Sequence, residues 1–266
     1  MIGHMYNTKY TISFRVLCGT TQPFLVPREA GPDPYPSLVN RAIKKPMSLA
    51  IFDLDNTLIG GDSDHLWGQY LVDQGIVDKA LYEEANSRFY ENYKQGTLDI
   101  DEFLRFALQP LAAHDPADLD LWRLTFVNEK IKPILLPAAH ALVESHRRKG
   151  DTLLIVTATN RFVTAPIAEL YGIDHLIATT PEFRNGRYTG LYEGIPTFQQ
   201  GKVTRLNEWL ERNQKSLDGS WFYSDSHNDL PLLEIVSNPV AVDPDEKLHS
   251  HATRQGWPII TLREPV

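Results

Sequence analysis

The sequence predicts an α/β protein with a parallel sheet covered by helices on both faces and a helical segment inserted after the first strand. Three observations lead there. The run Leu49-Ala50-Ile51-Phe52 is uninterrupted and apolar, as expected of a strand buried on both faces, and it leads straight into Asp53-Leu54-Asp55-Asn56-Thr57. From Pro137 onward, strand patterns and helix patterns alternate, which is how parallel sheets are built. Between residues 62 and 135 only helical patterns occur.

Residues 1–46 differ from the rest. Six of the 18 prolines fall there: Pro23, Pro27, Pro32, Pro34, Pro36 and Pro46. The apolar stretch Ile12–Cys18 is broken by Arg15 and is short for a signal-peptide core, although acidic residues are scarce before Glu29. The segment reads as an irregular N-terminal extension, with a strand within 8–18 as the alternative and Met47 as a possible functional start.

From Asp62 the pattern is helical. His65, Leu66, Tyr70 and Leu71 share one face of a first helix. Ala80–Ala85 begins a second that continues toward Tyr93. Asp99 or Asp101 caps a third, with Phe103, Leu104, Phe106 and Ala107 on its apolar side. Pro116 and Asp118 open a fourth, which carries Leu119, Leu121, Trp122 and Phe126. Pro137 then starts a helix whose last turn holds His146, Arg147, Arg148 and Lys149 before Gly150, matching charge to the helix dipole. Strands follow at Leu153–Val156, His175–Ala178, Trp221–Tyr223, Pro239–Val242 and Pro258–Leu262. Asn160 caps a helix ended by Gly172, Asn185-Gly186 marks a hairpin turn, and a helix follows Gly201. The organisation is therefore 1–46 as extension, 47–61 and 136–266 as catalytic core, and 62–135 as a compact helical insertion.

Composition narrows the function. A net charge of −8 argues against nucleic acid or an anionic membrane as partner. No apolar run approaches the ~18 residues of a membrane span. The single Cys18 excludes an internal disulfide and fits a cytoplasmic protein. Oligomeric state is not specified by the sequence.

The chemistry centres on Asp53 and Asp55. In open α/β sheets reacting groups sit beyond the carboxyl ends of the strands. Residues i and i+2 of an extended chain point to the same side, so the two carboxylates can converge. Repulsion at that range raises one pKa unless a cation intervenes. The pair is a metal site, an acid/base pair, or both. Two further strand ends carry polar groups, Thr157 and Asp225/Asn228/Asp229, and Gly201-Lys202 opens a helix. A lysine in a first helical turn opposes the helix dipole, so local stability does not explain Lys202.

In order, Asp53-x-Asp55-Asn56-Thr57, strand-then-Thr157, Lys202 and Ser224-Asp225-x-x-Asn228-Asp229 resemble the four motifs of the haloacid dehalogenase superfamily of phosphotransferases, over about residues 47–262. That resemblance implies a Rossmann-like core, Asp53 as nucleophile forming an aspartyl-phosphate, and Asp55 as general acid/base. It implies Mg²⁺ held by Asp53, the backbone carbonyl of Asp55, and Asp225. Lys202 would neutralise Asp53 and the phosphate, Thr157 would donate to a phosphate oxygen, and Asn228 and Asp229 would support the site. Ser224, Ser226 and His227 depart from the family's small loop, and His227 is expected to face solvent, with a donor role at the site as the alternative. His140, His146 and the other histidines are expected to be surface or capping groups.

The insertion occupies the position of the helical cap in the phosphoserine phosphatase-like branch. Asp62 stands where that branch places an acidic residue for the substrate ammonium, with Asp64 a near alternative. The branch's carboxylate-binding arginine aligns with Ala107, and Arg105 lies on another helical face, so phosphoserine itself fits poorly. Asp62–Gly68 and Thr157–Phe162 resemble a bacterial subgroup that includes histidinol-phosphate phosphatases, with Trp67 available to stack on an imidazole. The expected activity is hydrolysis of a small phosphorylated amino metabolite, best histidinol phosphate. Phosphoserine hydrolysis, or phosphoryl transfer to another alcohol, is the alternative.

The proline-rich composition of residues 1–46 predicts that a chain beginning at Met47 retains activity and cooperative unfolding. Loss of the cooperative transition on denaturant titration would show that the extension packs on the core.

Overall fold

A computed structural model describes Tyr6–Asn7, Tyr10–Thr11 and residues 48–263. Contacts divide the chain into two units, Met1–Lys45 and Pro46–Val266. In the first, Tyr6–Asn7 and Tyr10–Thr11 pair antiparallel. The expectations for the rest of 1–46 lie outside the described residues.

The second unit is built on seven strands: β1 (Leu49–Phe52), β2 (Thr152–Asn160), β3 (His175–Arg184), β4 (Arg187–Glu193), β5 (Trp221–Ser224), β6 (Asn238–Val242) and β7 (Ile259–Ile260). Their order is β4-β3-β2-β1-β5-β6-β7, and every neighbouring pair is parallel except β3–β4. The hairpin turn at Asn185-Gly186 places both residues at positive φ, 51° and 78°, as a twist-matched two-residue loop requires.

Strand pleating sends alternate side chains to opposite faces. Leu49, Ile51, Leu154 and Val156 pack with Leu206 and Leu210 of α8 (Gln200–Asn213), Leu232 of α9 (Leu230–Leu233) and Leu248 of α10 (Glu246–Gln255). Ala50, Phe52 and Ile155 pack with Val143 of α6 (Pro137–Lys149) and Ile167 of α7 (Arg161–Leu170). The sheet is thus covered on both sides. The α10 helix is not expected from the sequence pattern: its window is polar apart from Leu248 and Ala252.

Between β1 and α6 lie α1 (Ser63–Asp73), α2 (Lys79–Gln95), α3 (Ile100–Ala107), α4 (Gln109–Ala113) and α5 (Pro116–Phe126), then a π turn over Val127–Ile131 and a 3₁₀ turn over Lys132–Ile134. The segment leaves and returns at one point: Ile59 bridges Leu135, and the Gly60 amide donates to the Ile134 carbonyl at 2.8 Å. Among the described residues no helix is long and apolar enough to cross a membrane.

His146 corrects one expectation. It is 1% exposed, not a surface group. Its Nδ1 pairs with Asp151 at 2.7 Å and its Nε2 with the Tyr223 hydroxyl at 2.8 Å. A carboxylate only accepts, so Nδ1–H donates to Asp151 and Nε2 accepts from Tyr223. Asp151 lies just past the end of the helix, but Tyr223 is 77 residues away along the chain, so helix periodicity alone does not reveal that partner.

Burial is the chief cause that lowers the His146 pKa from its ordinary value. As pH falls, the unfolded chain takes up this proton first. The group therefore contributes stability above about pH 6.5 and loses it as pH falls toward the folded value. From about pH 7 to about pH 5.5 the unfolding free energy of the protein should fall more steeply than that of His146→Gln. Parallel pH dependences in urea titrations would contradict this.

Candidate active site

β1 lies at the topological switch point: the chain continues to β2 on one side and reaches β5 on the other. The crevice beyond the carboxyl end of β1 is where such sheets bind ligands. The Asp53 amide extends the ladder by donating to the Tyr223 carbonyl at 2.9 Å. The Asp53 side chain, on the α8 side with Leu49 and Ile51, meets the Lys202 Nζ at 2.7 Å.

Lys202 also bridges to Asp229, at 2.7 Å to Oδ1 and 2.8 Å to Oδ2. All three residues are buried. The Ser224 hydroxyl donates to Asp229 Oδ2 at 2.7 Å. Burial drives the Lys202 pKa down, but Asp229 and Asp53 more than offset it and hold it above the ordinary value. Burial pushes the Asp53 carboxyl up to about 7 against the pull of Lys202, with the Asp229 and Asp55 charges adding to the rise.

The turn before α8 aims the lysine. Gly201 passes so close to Pro196 that a Cβ would sit 2.0 Å from its carbonyl oxygen. Gln199 adopts φ 46°, ψ −119°, a conformation that costs a non-glycine residue about 1–3 kcal/mol. Its Nε2 donates to Asn228 Oδ1 at 3.0 Å, and Asn228 Nδ2 donates to the Tyr93 carbonyl of α2 at 3.0 Å.

Asp55 sits differently. Its Oδ1 accepts the Ser63 amide at 2.7 Å and its Oδ2 the Thr159 hydroxyl at 2.8 Å. Burial raises its pKa to about 6, helped by Asp62 and opposed by the Ser63 and Thr159 hydrogen bonds. Thr157 is buried, and its Oγ1 accepts the Thr159 amide at 3.3 Å, leaving its hydroxyl hydrogen free to donate. Asp225 is held by Thr57, whose hydroxyl donates to Oδ1 at 3.0 Å and accepts the Asp225 amide at 3.1 Å. Burial, then the charges of Asp53 and Asp229, push Asp225 well up.

Asp53, Asp55, Asp62, Asp64 and Thr157 line one cavity, closed by Asn86, Phe89, Tyr90 and Tyr93 of α2 and by Ile100 and Phe103 of α3. Among the described residues no lysine or arginine lines it. Asp225 lines an adjoining cavity that shares Tyr90 and Tyr93. Ala107 is buried and absent from either wall.

Two expectations are corrected. Trp67 is 2% exposed and packs on Tyr70, Phe126 and Phe162; it is not part of the cavity wall and cannot stack on a ligand there. His227 does not face solvent. Its Nδ1 pairs with Asp245 at 2.7 Å, and its ring lies against Gly96, where a Cβ would come within 2.8 Å. Sequence reasoning placed Thr159 at the pocket and Thr57 in the first motif without foreseeing their hydrogen bonds, and it missed Tyr90 and Tyr93. Neither tyrosine carried a local signal.

Comparison with known proteins follows this geometry. A model for the haloacid dehalogenase-like hydrolases matches residues 50–234. A histidinol-phosphatase from Neisseria meningitidis serogroup C (strain 8013) is 47% identical over 220 residues, spanning 81% of this chain and 99% of that protein. A crystal structure of a protein with unknown function from Bordetella pertussis Tohama I superposes with TM-score 0.77 at 45% identity, covering 82% of this chain and 99% of that one. A phosphoserine phosphatase bearing a phospho-aspartyl intermediate analogue shares the fold, with TM-score 0.61 at 16% identity over 82% and 94% of the two chains.

Removing one partner of a buried ion pair typically costs about 3–5 kcal/mol because the other charge is left unpaired. Lys202→Met should lose that order of stability in urea titrations. Adding Asp229→Asn should recover part of it. No recovery in the double variant would mean that the lysine stabilises the core by packing rather than by charge.

Proposed function

Because the chain belongs to the haloacid dehalogenase-like hydrolase family, we propose that it is a Mg²⁺-dependent phosphomonoesterase acting through an aspartyl-phosphate on a small phosphorylated amine, best histidinol phosphate. The observation that carries the reading is the buried Lys202 held between Asp53 and Asp229 at the carboxyl end of β1. A lysine there pulls the Asp53 pKa down against burial and favours its anionic form while an anionic phosphate approaches.

In this reading an Asp53 oxygen attacks phosphorus, and the bond from phosphorus to the alkoxide oxygen breaks. Asp55, whose pKa lies at about 6, donates its proton to that oxygen. Water then attacks the acyl-phosphate, Asp55 takes the proton, and inorganic phosphate leaves with Asp53 restored. Thr157 donates to a phosphate oxygen. Asn228 and Asp229 hold the shell and Lys202 in place.

The residues present suit a magnesium ion. Lys202 pairs with Asp53 and Asp229, while Asp225 is held by the neutral Thr57 hydroxyl and feels the charges of both other carboxylates, so the site carries an excess of negative charge that a cation relieves. Among the described residues no cluster of three His, Cys, Asp or Glu side chains forms a metal cage. Mg²⁺ binds through one or two carboxylates together with water and phosphate oxygens. Asp53, the Asp55 carbonyl and Asp225 would hold it, and the ion would supply positive charge to the phosphate oxygens.

We assign residues 62–135 as a cap that excludes water from the reacting centre, and place the enzyme in the cytoplasm. Substrate choice follows from the wall. Four carboxylates and, among the described residues, no lysine or arginine line the cavity. A substrate carboxylate would be left without a cation, at a cost of several kcal/mol. An ammonium finds Asp62. The name of the Neisseria relative supports the same substrate.

Asp53→Asn should abolish Mg²⁺-dependent phosphate release in a variant that still folds and unfolds cooperatively; a folded, active Asp53→Asn enzyme would remove the mechanism. With each 1.4 kcal/mol worth tenfold, kcat/KM for histidinol phosphate should exceed that for phosphoserine by about a hundredfold or more. A preference for phosphoserine would overturn the substrate assignment, and transfer of phosphate to an added alcohol in place of water would identify a phosphotransferase.

A further inference from the structure

Two of the cavity carboxylates are committed unequally. Asp62 Oδ1 accepts the amides of Asp64 and His65 at 3.0 and 2.9 Å, capping α1. Asp64 Oδ1 accepts only a 3.4 Å contact from Asn160 Nδ2. Among the described residues nothing donates to Asp64 Oδ2. Asn160 is itself fixed, since its Oδ1 accepts the Val163 amide at 3.3 Å and caps α7. The Asp64 carboxylate is therefore held from behind and left open toward the cavity it lines.

Its surroundings are acidic or neutral. Asp62 and Asp55 add to the burial that pushes Asp64 well up, and Tyr82 on α2 feels its charge. Burial lowers the pKa of His65, so that ring brings no positive charge to the wall. Next to these carboxylates the wall is flat and aromatic: the His65 and Tyr90 rings lie 5.0 Å apart at 38°. Phe89 and Phe103 meet edge to face at 5.4 Å behind them.

Two carboxylates two residues apart on a poorly hydrated wall repel, and one ammonium can neutralise only one of them. We propose that Asp64 is a specificity-determining residue that receives a second basic nitrogen of the substrate, carried on a flat ring lying against His65 and Tyr90, while Asp62 takes the ammonium. The inference rests on the phosphomonoesterase reading of this cavity. It defines the substrate class as a phosphate ester of an amino alcohol bearing a basic heteroaromatic ring.

The test uses the full chain with Mg²⁺ and two readouts. The first is the ratio of kcat/KM for histidinol phosphate to that for phosphoethanolamine, which has the ammonium but no ring nitrogen. The second is the inhibition constant of histidinol against hydrolysis of p-nitrophenyl phosphate. In Asp64→Asn the ratio should fall and the inhibition constant should rise, each tenfold or more. In Asp62→Asn both amine substrates should suffer together, with the ratio kept. An inhibition constant within twofold of the parent's in Asp64→Asn overturns the proposal. If the parent releases no phosphate from histidinol phosphate but histidinol still inhibits through Asp64, the substrate reading fails and the role of Asp64 stands. Should the asparagine variant not unfold cooperatively, Asp64→Ser carries the same expectations.

Discussion

The ion pair between Lys202 and Asp53 is the interaction on which the site depends. Isolated, either charge would be too costly to bury. Together with Asp229, and with Ser224 donating to that carboxylate, they form a satisfied buried network that joins β1, α8 and the end of β5. The network explains features that make little sense singly. A lysine in the first turn of α8 opposes the helix dipole, yet two carboxylates hold it there. The strained Gln199 and the tight Gly201–Pro196 approach set the turn that delivers it.

The remaining carboxylates are arranged around that pair by their hydrogen bonds. Thr57 holds Asp225, whereas Ser63 and Thr159 hold Asp55. Asp53 and Asp55, two residues apart, thus have separate partners, Lys202 for the first and Ser63 with Thr159 for the second. Lys202 faces Asp53 directly, and the Asp55 hydrogen bonds come from neutral groups. Asp62 and Asp64 line the same cavity, and among the described residues no lysine or arginine lines it with them. Carboxylates buried together in this way repel one another, and burial is the chief cause that raises their pKa values.

Much of this was legible in the sequence because its signals are local. The apolar run Leu49–Phe52 announces a central strand, and its pleat carries Asp53 to the α8 side. Lys202 stood out because it violates a local rule. The Asn185-Gly186 turn and the Asn160 cap were legible for the same reason of local chemistry. What escaped depends on partners far along the chain. Thr159 reaches Asp55, His146 reaches Tyr223, and His227 reaches Asp245 only after folding. Trp67 reads from its helical position as core more readily than as ligand platform, and the aromatic neighbours Phe126 and Phe162 decide for core. The polar helix α10 lacked an apolar stripe wide enough to announce itself.

The central claim, that Asp53 carries the phosphoryl group and Asp55 governs its proton transfers, can be tested in one experiment. p-Nitrophenolate leaves without a proton, so an Asp55→Asn enzyme can still be phosphorylated by p-nitrophenyl phosphate but lacks the base for hydrolysis. Rapid mixing should give a burst of nitrophenolate of about one equivalent per site. Mass mapping of the acid-quenched protein should then find the phosphoryl increment on the peptide containing Asp53. A burst with the increment on another residue, or steady turnover with no covalent increment, would contradict the account.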